Sequence, residues 1–144
     1  MSRAEPSRRD RFKAWRRHST RWGDNDAYGH VNNTVYYQWF DSAVNAWLIE
    51  QGLIAIGHGE EIALVVETRC SFAAPLAYPE DVEVGLAVAS VGRSSMRYRI
   101  GIFAVGGETA AAEGEFVHVL VDRATRRPKD LPDRWRSALL ALQA

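Results

Sequence analysis

The segment from Thr34 to Gly52 constrains the fold most, because it reads as one long helix that is apolar around nearly its whole circumference. It contains no proline, and it ends in a glycine, which favours a helix C-terminus. Its apolar surface is formed by Tyr36, Trp39, Phe40, Ala43, Val44, Trp47 and Leu48, and a narrow polar stripe is formed by Thr34, Gln38, Asp41 and Asn45. A helix with so little polar surface has to be covered by other elements.

Strands that could cover this helix are predicted on both sides of it. Residues 62–72, 82–88, 96–102 and 115–120 alternate apolar and polar side chains with a period of two. Another strand is expected within residues 13–22, and the spacing from Leu131 to Leu142 predicts a short amphipathic helix. Gly92 predicts a turn, and Gly106-Gly107 predicts a tight hairpin. The order predicts an α+β fold, a curved antiparallel sheet of about five strands around one central helix.

The composition is that of one globular domain. A chain of 144 residues with 47% apolar and 25% charged residues can bury one core but is short for two. The net charge is zero, although basic residues dominate the first 22 positions. We therefore expect a flexible basic tail at residues 1–11 and a domain at residues 12–144. Such a tail could contact nucleic acid or anionic lipid, but it carries no binding motif, which favours a solvated tail.

Three features of the sequence predict a cytoplasmic protein. Cys70 is the single cysteine, so the chain has no internal disulfide, and a reducing compartment is expected. No apolar stretch reaches the roughly 18 to 20 residues that span a bilayer. The N-terminus also lacks the apolar centre of a signal peptide.

Residues 24–33 read D-N-D-A-Y-G-H-V-N-N and fall between the first predicted strand and the long helix. The first N–H groups of a helix lack internal partners and can hold an anion or a developing oxyanion. A carboxylate beside them, from Asp24 or Asp26, could activate water or attack an acyl carbon, which is the equipment for acyl hydrolysis. Gly29 would allow a sharp turn or the close approach of a ligand, and His30 could donate a hydrogen bond.

The same residues also fit other interpretations. Asp, Asn and Gly are also typical of a plain turn. A calcium loop would need an acidic residue at its twelfth position, which is Val35 here. No motif for a metal, ATP or dinucleotide site is present, so no cofactor and no metal are predicted. The serines of G-R-S-S lack the glycine frame of a nucleophile elbow, and Arg97 and Arg99 alternate on a sheet face that would normally be solvated.

The sequence R-W-G-D-N-D-A-Y-G-H-V-N-N-T-V-Y-Y-Q-W-F-D resembles the signature of hotdog-fold acyl-CoA thioesterases of the 4-hydroxybenzoyl-CoA thioesterase type. The resemblance continues through V-V-E-T-R-C-S-F-A-A-P-L, D-V-E-V-G-L, G-R-S-S-M-R-Y-R-I-G-I-F and A-A-E-G-E-F-V-H-V, covering about residues 12–128. It implies hydrolysis of an acyl-CoA to a free acid and CoA, with Asp26 as base or nucleophile and Asp24 in a structural role. It further implies that backbone N–H groups from Gly29 to Asn33, above all that of Asn33, polarise the thioester carbonyl, with His30 in the same catalytic loop.

The resemblance also implies partners. Members of that family are homodimers, or dimers of dimers, whose sheets join edge to edge, and the acyl group enters between subunits. The turn that meets the CoA phosphates in the family matches Arg93, Ser94 and Ser95. The remaining residues expected to contact the substrate are Tyr28, Val31, Asn32 and Tyr36.

Two departures from the family pattern leave the acyl group open. The helix acid Asp41 is followed by Val44 and Asn45 where many relatives carry an arginine, and the turn P-L-A-Y-P-E-D has no glycine before its last acid. Three other functions stay as alternatives at this point. They are a non-catalytic protein that binds acyl-CoA or acyl-carrier protein, a hotdog-fold dehydratase, and a nucleic-acid binder that uses the basic arm.

Overall fold

The computed structural model describes residues 5–144 and confirms the predicted α+β hotdog fold. Five antiparallel strands in the order β1-β3-β4-β5-β2 form one sheet around a long helix, and a short helix follows the last strand. The elements are β1 (Ala14–Ser19), α1 (Asn33–Glu50), β2 (Glu61–Phe72), β3 (Asp81–Val91), β4 (Ser95–Ala104), β5 (Ala112–Asp122) and α2 (Asp133–Ala141).

Helix α1 is the centre of the core, as its apolar pattern predicts. Its buried residues are Val35, Tyr36, Trp39, Phe40, Ala43, Val44, Trp47 and Leu48. The predicted polar stripe faces outward, since Thr34, Gln38 and Asp41 are exposed. Trp47 packs on Tyr98 of β4, and Tyr36 packs on Phe72 at the end of β2, so the helix spans the concave face of the sheet. None of the helices in residues 5–144 is long and apolar enough to cross a membrane.

The convex face of the sheet is partly covered by Phe12. Gly85 and Gly101 are paired across β3 and β4, and they leave a hollow that the Phe12 ring fills. A Cβ atom on Gly101 would lie 2.6 Å from the ring, and one on Gly85 would lie 2.8 Å from the Phe12 side chain. The two glycines are therefore required by the close approach of an aromatic ring.

Residues 7–11 of the predicted tail lie against the same face. Arg9 contacts Glu83 at 2.6 Å, and its guanidinium lies 5.0 Å from the ring centroids of Trp15 and Phe103. The Ser7 N–H donates to Glu113 at 3.1 Å. Arg9 is therefore packed against the sheet. The division into a flexible tail and a domain stays a prediction.

Strand β2 differs from its predicted alternation. The pairing with β5 shifts between Val65 and Glu67, so Val66 is an extra residue in a β-bulge and is 59% exposed. Because the bulge flips the register, Val66 leaves the apolar face on which its spacing had placed it. The hairpin prediction at Gly106-Gly107 is also wrong in length, since residues 105–111 connect β4 to β5 and only Gly106 of the pair has a positive φ, 74°.

Candidate active site

The segment from Asp24 to Asn32 folds into a small hairpin rather than an open loop. The Asn32 N–H donates to the carbonyl oxygen of Asp24 at 2.8 Å, Asn25 and Val31 form a bridge, and the Asp26 N–H donates to the carbonyl oxygen of His30 at 2.9 Å. Gly29 closes the turn with a φ of 80° and donates its N–H to the Asp26 carbonyl at 3.0 Å. A side chain at that angle would be strained, which explains the glycine.

Asp26 holds its carboxylate at the start of this turn. Its Oδ1 accepts the Tyr28 N–H at 2.9 Å, an Asx turn that fixes the side-chain direction. Its Oδ2 accepts no hydrogen bond from residues 5–144. Asp26 is half-buried, so one carboxylate oxygen is held by the loop and the other is available to a ligand or water.

The N-terminus of helix α1 lies at the other end of the hairpin. Asn32 is the N-cap, and its side-chain oxygen accepts the Thr34 N–H at 3.0 Å and the Thr34 hydroxyl at 2.7 Å. The Asn33 N–H donates to no other described residue. It is therefore a free donor at the positive end of the helix dipole, on an exposed residue.

Two contacts attach the hairpin to the rest of the protein. The Val31 N–H donates to the Leu76 carbonyl at 2.8 Å, and the Asn25 side-chain oxygen accepts the Tyr78 N–H at 3.0 Å. Leu76 and Tyr78 lie between the end of β2 and the start of β3. Sequence reasoning missed both partners, because nothing in the local spacing relates them to the signature loop.

Asp24 is buried beneath the hairpin, which agrees with its expected structural role. Its carboxylate accepts the Arg21 N–H at 2.8 Å and two guanidinium N–H groups of Arg21 at 3.0 and 3.1 Å. The Asp24 side chain is 2% exposed and the Arg21 side chain 72% exposed. Arg21 was also missed by sequence reasoning, although an arginine three residues before an aspartate is a visible signal for such a pair.

The remaining residues of the hairpin have different degrees of burial. Tyr28 is 86% exposed and His30 is exposed, whereas Val31 is 6% exposed and points into the core. Trp22, which is 81% exposed, packs edge-on against Tyr78 at 5.8 Å between ring centroids. Aromatic surface therefore borders the exposed side of the hairpin.

Tyr36 lies one helical turn below Asn33 and is buried. Its ring contacts Phe72 at 5.0 Å and Trp39 at 5.2 Å between centroids. Burial raises the pKa of Tyr36 to about 12, with a further increase from Cys70 and an opposing hydrogen bond to the Leu76 backbone. Burial, followed by the charge of Glu113, raises the pKa of Cys70 to about 12 as well, so this thiol stays protonated near neutral pH and is a poor nucleophile.

The predicted phosphate-binding turn is not beside Asp26 within one chain. Arg93, Ser94 and Ser95 connect β3 to β4 at the end of the sheet where Glu61 pairs with Asp122 and Ser95 pairs with Val119. The hairpin lies at the opposite end, where β2 stops and β3 starts. Arg93 is exposed and contacts Asp130 at 3.0 Å.

Comparison with known protein families shows which family this chain is related to. The model of the thioesterase-like superfamily matches residues 20–139, which is most of the chain. The chain belongs to the thioesterase-like superfamily. This confirms the resemblance that the signature residues indicate, and it supports hydrolysis of a thioester as the class of reaction.

Solved structures agree with this membership. The PA5185 protein of Pseudomonas aeruginosa strain PAO1 is 48% identical, with 98% of each chain covered and a TM-score of 0.93. The PA2801 protein of the same species is 30% identical over 86% of this chain and 95% of that one, with a TM-score of 0.80. Slr0204, a 1,4-dihydroxy-2-naphthoyl-CoA thioesterase from Synechocystis, is 21% identical over 89% and 96%, with a TM-score of 0.78, and shows the fold alone. No curated protein matches the chain significantly.

In this member of the superfamily a large groove lies apart from Asp26, which is not among its lining residues. It has a volume of about 690 Å³ and lies where β2 ends and β5 begins, lined by Pro6, Ser71, Phe72, Ala73, Ala110, Ala112 and Glu113. The Phe72 ring, which lines this groove, also touches Tyr36 in the first turn of α1. The roles of Asp26, Gly29, His30 and Asn33, and of the expected substrate contacts, remain predictions.

Proposed function

We propose that this protein hydrolyses an acyl-CoA thioester to a carboxylic acid and CoA, and that Asp26 is the catalytic carboxylate. The observation that carries the proposal is the hairpin itself, which holds Asp26 and the N-terminus of α1 in one hydrogen-bonded unit. Asp26 is two residues of extended chain, about 7 Å, from Asp24, whose carbonyl is bonded to the N-cap of the helix. A carboxylate and a free helix N–H thus belong to one hydrogen-bonded unit, which supports their acting together on a thioester group.

In the proposed reaction the free Oδ2 of Asp26 takes a proton from water, and the water oxygen adds to the thioester carbonyl. The negative charge that develops on the carbonyl oxygen is met by the Asn33 N–H and the positive end of the helix dipole. The carbon–sulfur bond then breaks, and the CoA thiolate leaves and is protonated. Alternatively Asp26 attacks the carbonyl carbon itself and water hydrolyses the resulting mixed anhydride. Neither route needs a cofactor beyond the CoA of the substrate.

The proposal includes a homodimer. Strand β2 is an edge strand of twelve residues with Val65, Val66 and Phe72 exposed, which is the kind of edge that pairs with a second copy. Antiparallel pairing of two β2 strands about a two-fold axis would place the Glu61 end of one copy beside the Phe72 end of the other. The turn of residues 93–95 in the second copy would then lie at the same end as Asp26, two to three strand spacings or about 10 to 14 Å from β2. A CoA molecule could therefore contact both subunits.

The test measures thiol release from a panel of acyl-CoA thioesters for wild type and for Asp26→Asn. Loss of a general base typically costs about 100-fold to 10,000-fold in rate, and we expect a decrease in kcat of that size. Asp41→Asn is the matched control, because Asp41 is an exposed acid on the polar stripe of helix α1. Its kcat should equal that of wild type.

Equal rates for Asp26→Asn and wild type would refute the role of Asp26. Tight binding of acyl-CoA without any turnover by wild type would instead support a non-catalytic binding protein. Turnover only of acyl groups bound to an acyl-carrier protein would mean that the carrier protein, and not CoA, carries the acyl group of the substrate. Incorporation of labelled solvent oxygen into the protein during a single turnover would identify the nucleophilic route.

A further inference from the structure

The hairpin that carries Asp26 is held shut by Asp24. The Asp24 carbonyl accepts the Asn32 N–H at 2.8 Å, and its own N–H donates to the Arg21 carbonyl at 2.9 Å. Asp26 lies two residues after Asp24, and the free N–H of Asn33 lies one residue after Asn32. The backbone position of Asp24 therefore sets the distance between the proposed base and the proposed oxyanion donor.

Asp24 is in turn fixed by Arg21 alone among the charged residues that the structure describes. Both carboxylate oxygens are occupied, Oδ2 by the Arg21 backbone N–H and Oδ1 by Nε and Nη2 of its guanidinium. Since the carboxylate is nearly completely buried, any other rotamer would leave a negative charge without a partner in the interior. The Arg21 guanidinium supplies two N–H donors from one rigid plane to the single oxygen Oδ1, a paired contact that lysine cannot reproduce.

We propose that Arg21 is a positioning residue for catalysis. It acts through Asp24 and Asn32 to hold Asp26 and the Asn33 N–H in register, and it does not touch the substrate. The inference rests on the proposed function, because it assigns meaning to the Asp26–Asn33 distance. A displacement of about 1 Å in such a pair can cost about 100-fold in rate, so the positioning contact is expected to affect kcat strongly.

The experiment compares Arg21→Ala and Arg21→Lys with the matched control Arg17→Ala. Arg17 is an exposed arginine of β1 that pairs with Asp81 at 2.9 Å, so its removal breaks an arginine–aspartate pair outside the hairpin. For Arg21→Ala we expect kcat to fall about tenfold to a hundredfold with KM within twofold of wild type. Arg21→Lys should lose most of the same activity because it keeps the charge but not the planar pair of donors. Arg17→Ala should keep wild-type kcat.

Two outcomes would overturn the inference. A rise in KM at constant kcat, restored by lysine, would mean that Arg21 is an exposed cation that meets the substrate phosphates. A kcat equal to that of Arg17→Ala would mean that the Arg21–Asp24 ion pair does not position the catalytic groups. A double variant of Arg21→Ala with Asp24→Asn provides a further check, because the second substitution should cost less than threefold more if both residues act through one contact.

A second readout does not depend on activity. Amide hydrogen exchange at Asn32 should be at least about tenfold faster in Arg21→Ala than in Arg17→Ala, because the hydrogen bond to Asp24 opens more often. Unchanged exchange would overturn the inference even if the protein has no thioesterase activity. If Asp26→Asn is inactive while Arg21→Ala has normal kcat and normal exchange, the proposed function stands and only this inference fails.

Discussion

Acidification should destabilise this protein through one buried histidine, His118 on β5. His118 is 1% exposed, and its Nδ1 has no hydrogen-bond partner among residues 5–144. Its ring packs edge-on against Tyr98 at 5.5 Å and Phe116 at 5.3 Å between centroids. Burial alone lowers the pKa of His118 from 6.5 to about 4, because the charged imidazolium would lose its hydration without gaining a partner.

The sign and size of the effect follow from proton linkage. The unfolded chain binds a proton at His118 as the pH falls below 6.5, while the folded chain stays neutral there until about pH 4. The stabilising contribution is therefore complete above pH 6.5 and is lost progressively between pH 6.5 and pH 4. A pKa difference of this size corresponds to about 3 kcal/mol, a large share of the 5 to 15 kcal/mol of a typical domain.

Urea unfolding followed by tryptophan fluorescence, at one fixed protein concentration and at several pH values from 7 to 4, measures this term. The wild-type free energy of unfolding should fall by about 3 kcal/mol more than that of His118→Phe, which has no titrating group at the site. His58→Gln is the matched control, since His58 is exposed and should give the wild-type pH dependence. If His118→Phe lost as much stability as wild type between pH 7 and pH 4, the reasoning about burial would be wrong.

Two further predictions concern stability at neutral pH and use the same unfolding assay. Gly114→Ala would place its Cβ 1.9 Å from the Arg69 carbonyl oxygen, so we expect a loss of about 3 kcal/mol, whereas Gly23→Ala, with nothing within 4 Å of the added Cβ, should change little. Phe12→Ala should cost about 3 to 5 kcal/mol because it empties the hollow over the paired glycines of β3 and β4. If either variant lost less than about 1 kcal/mol of unfolding free energy, the neighbouring residues would have shifted to accommodate the substitution.

The sequence predicted the helix and the sheet because both have strong periodic signals. The apolar surface of α1 and the alternation in β3, β4 and β5 appear where expected, with ends shifted by a few residues. The bulge at Val66 could not be predicted, since an inserted residue in a strand depends on the partner strand β5 and leaves no local mark. The contact between Phe12 and the paired glycines could not be predicted either, because these residues are more than seventy positions apart in the sequence.

The candidate site was predicted in part. Residues 24–33 are contiguous, so their position before the helix could be read from the order of residue types. The hydrogen bonds of the hairpin, the burial of Asp24 and the involvement of Leu76 depend on how distant segments pack, and the sequence does not encode them locally. The location of Arg93 at the far end of the sheet follows from strand register, which only the structure supplies.

Because one edge of β2 is unpaired, the state of this protein should depend on its concentration in the cell. An isolated copy presents a twelve-residue strand with its outward N–H and C=O groups available to any extended chain it meets. If a second copy normally pairs with that edge, mass action makes the paired fraction of chains depend on the protein concentration in the cell. At low protein concentration, newly synthesised chains would remain unpaired for longer, and their exposed β2 edge could pair with the wrong chain.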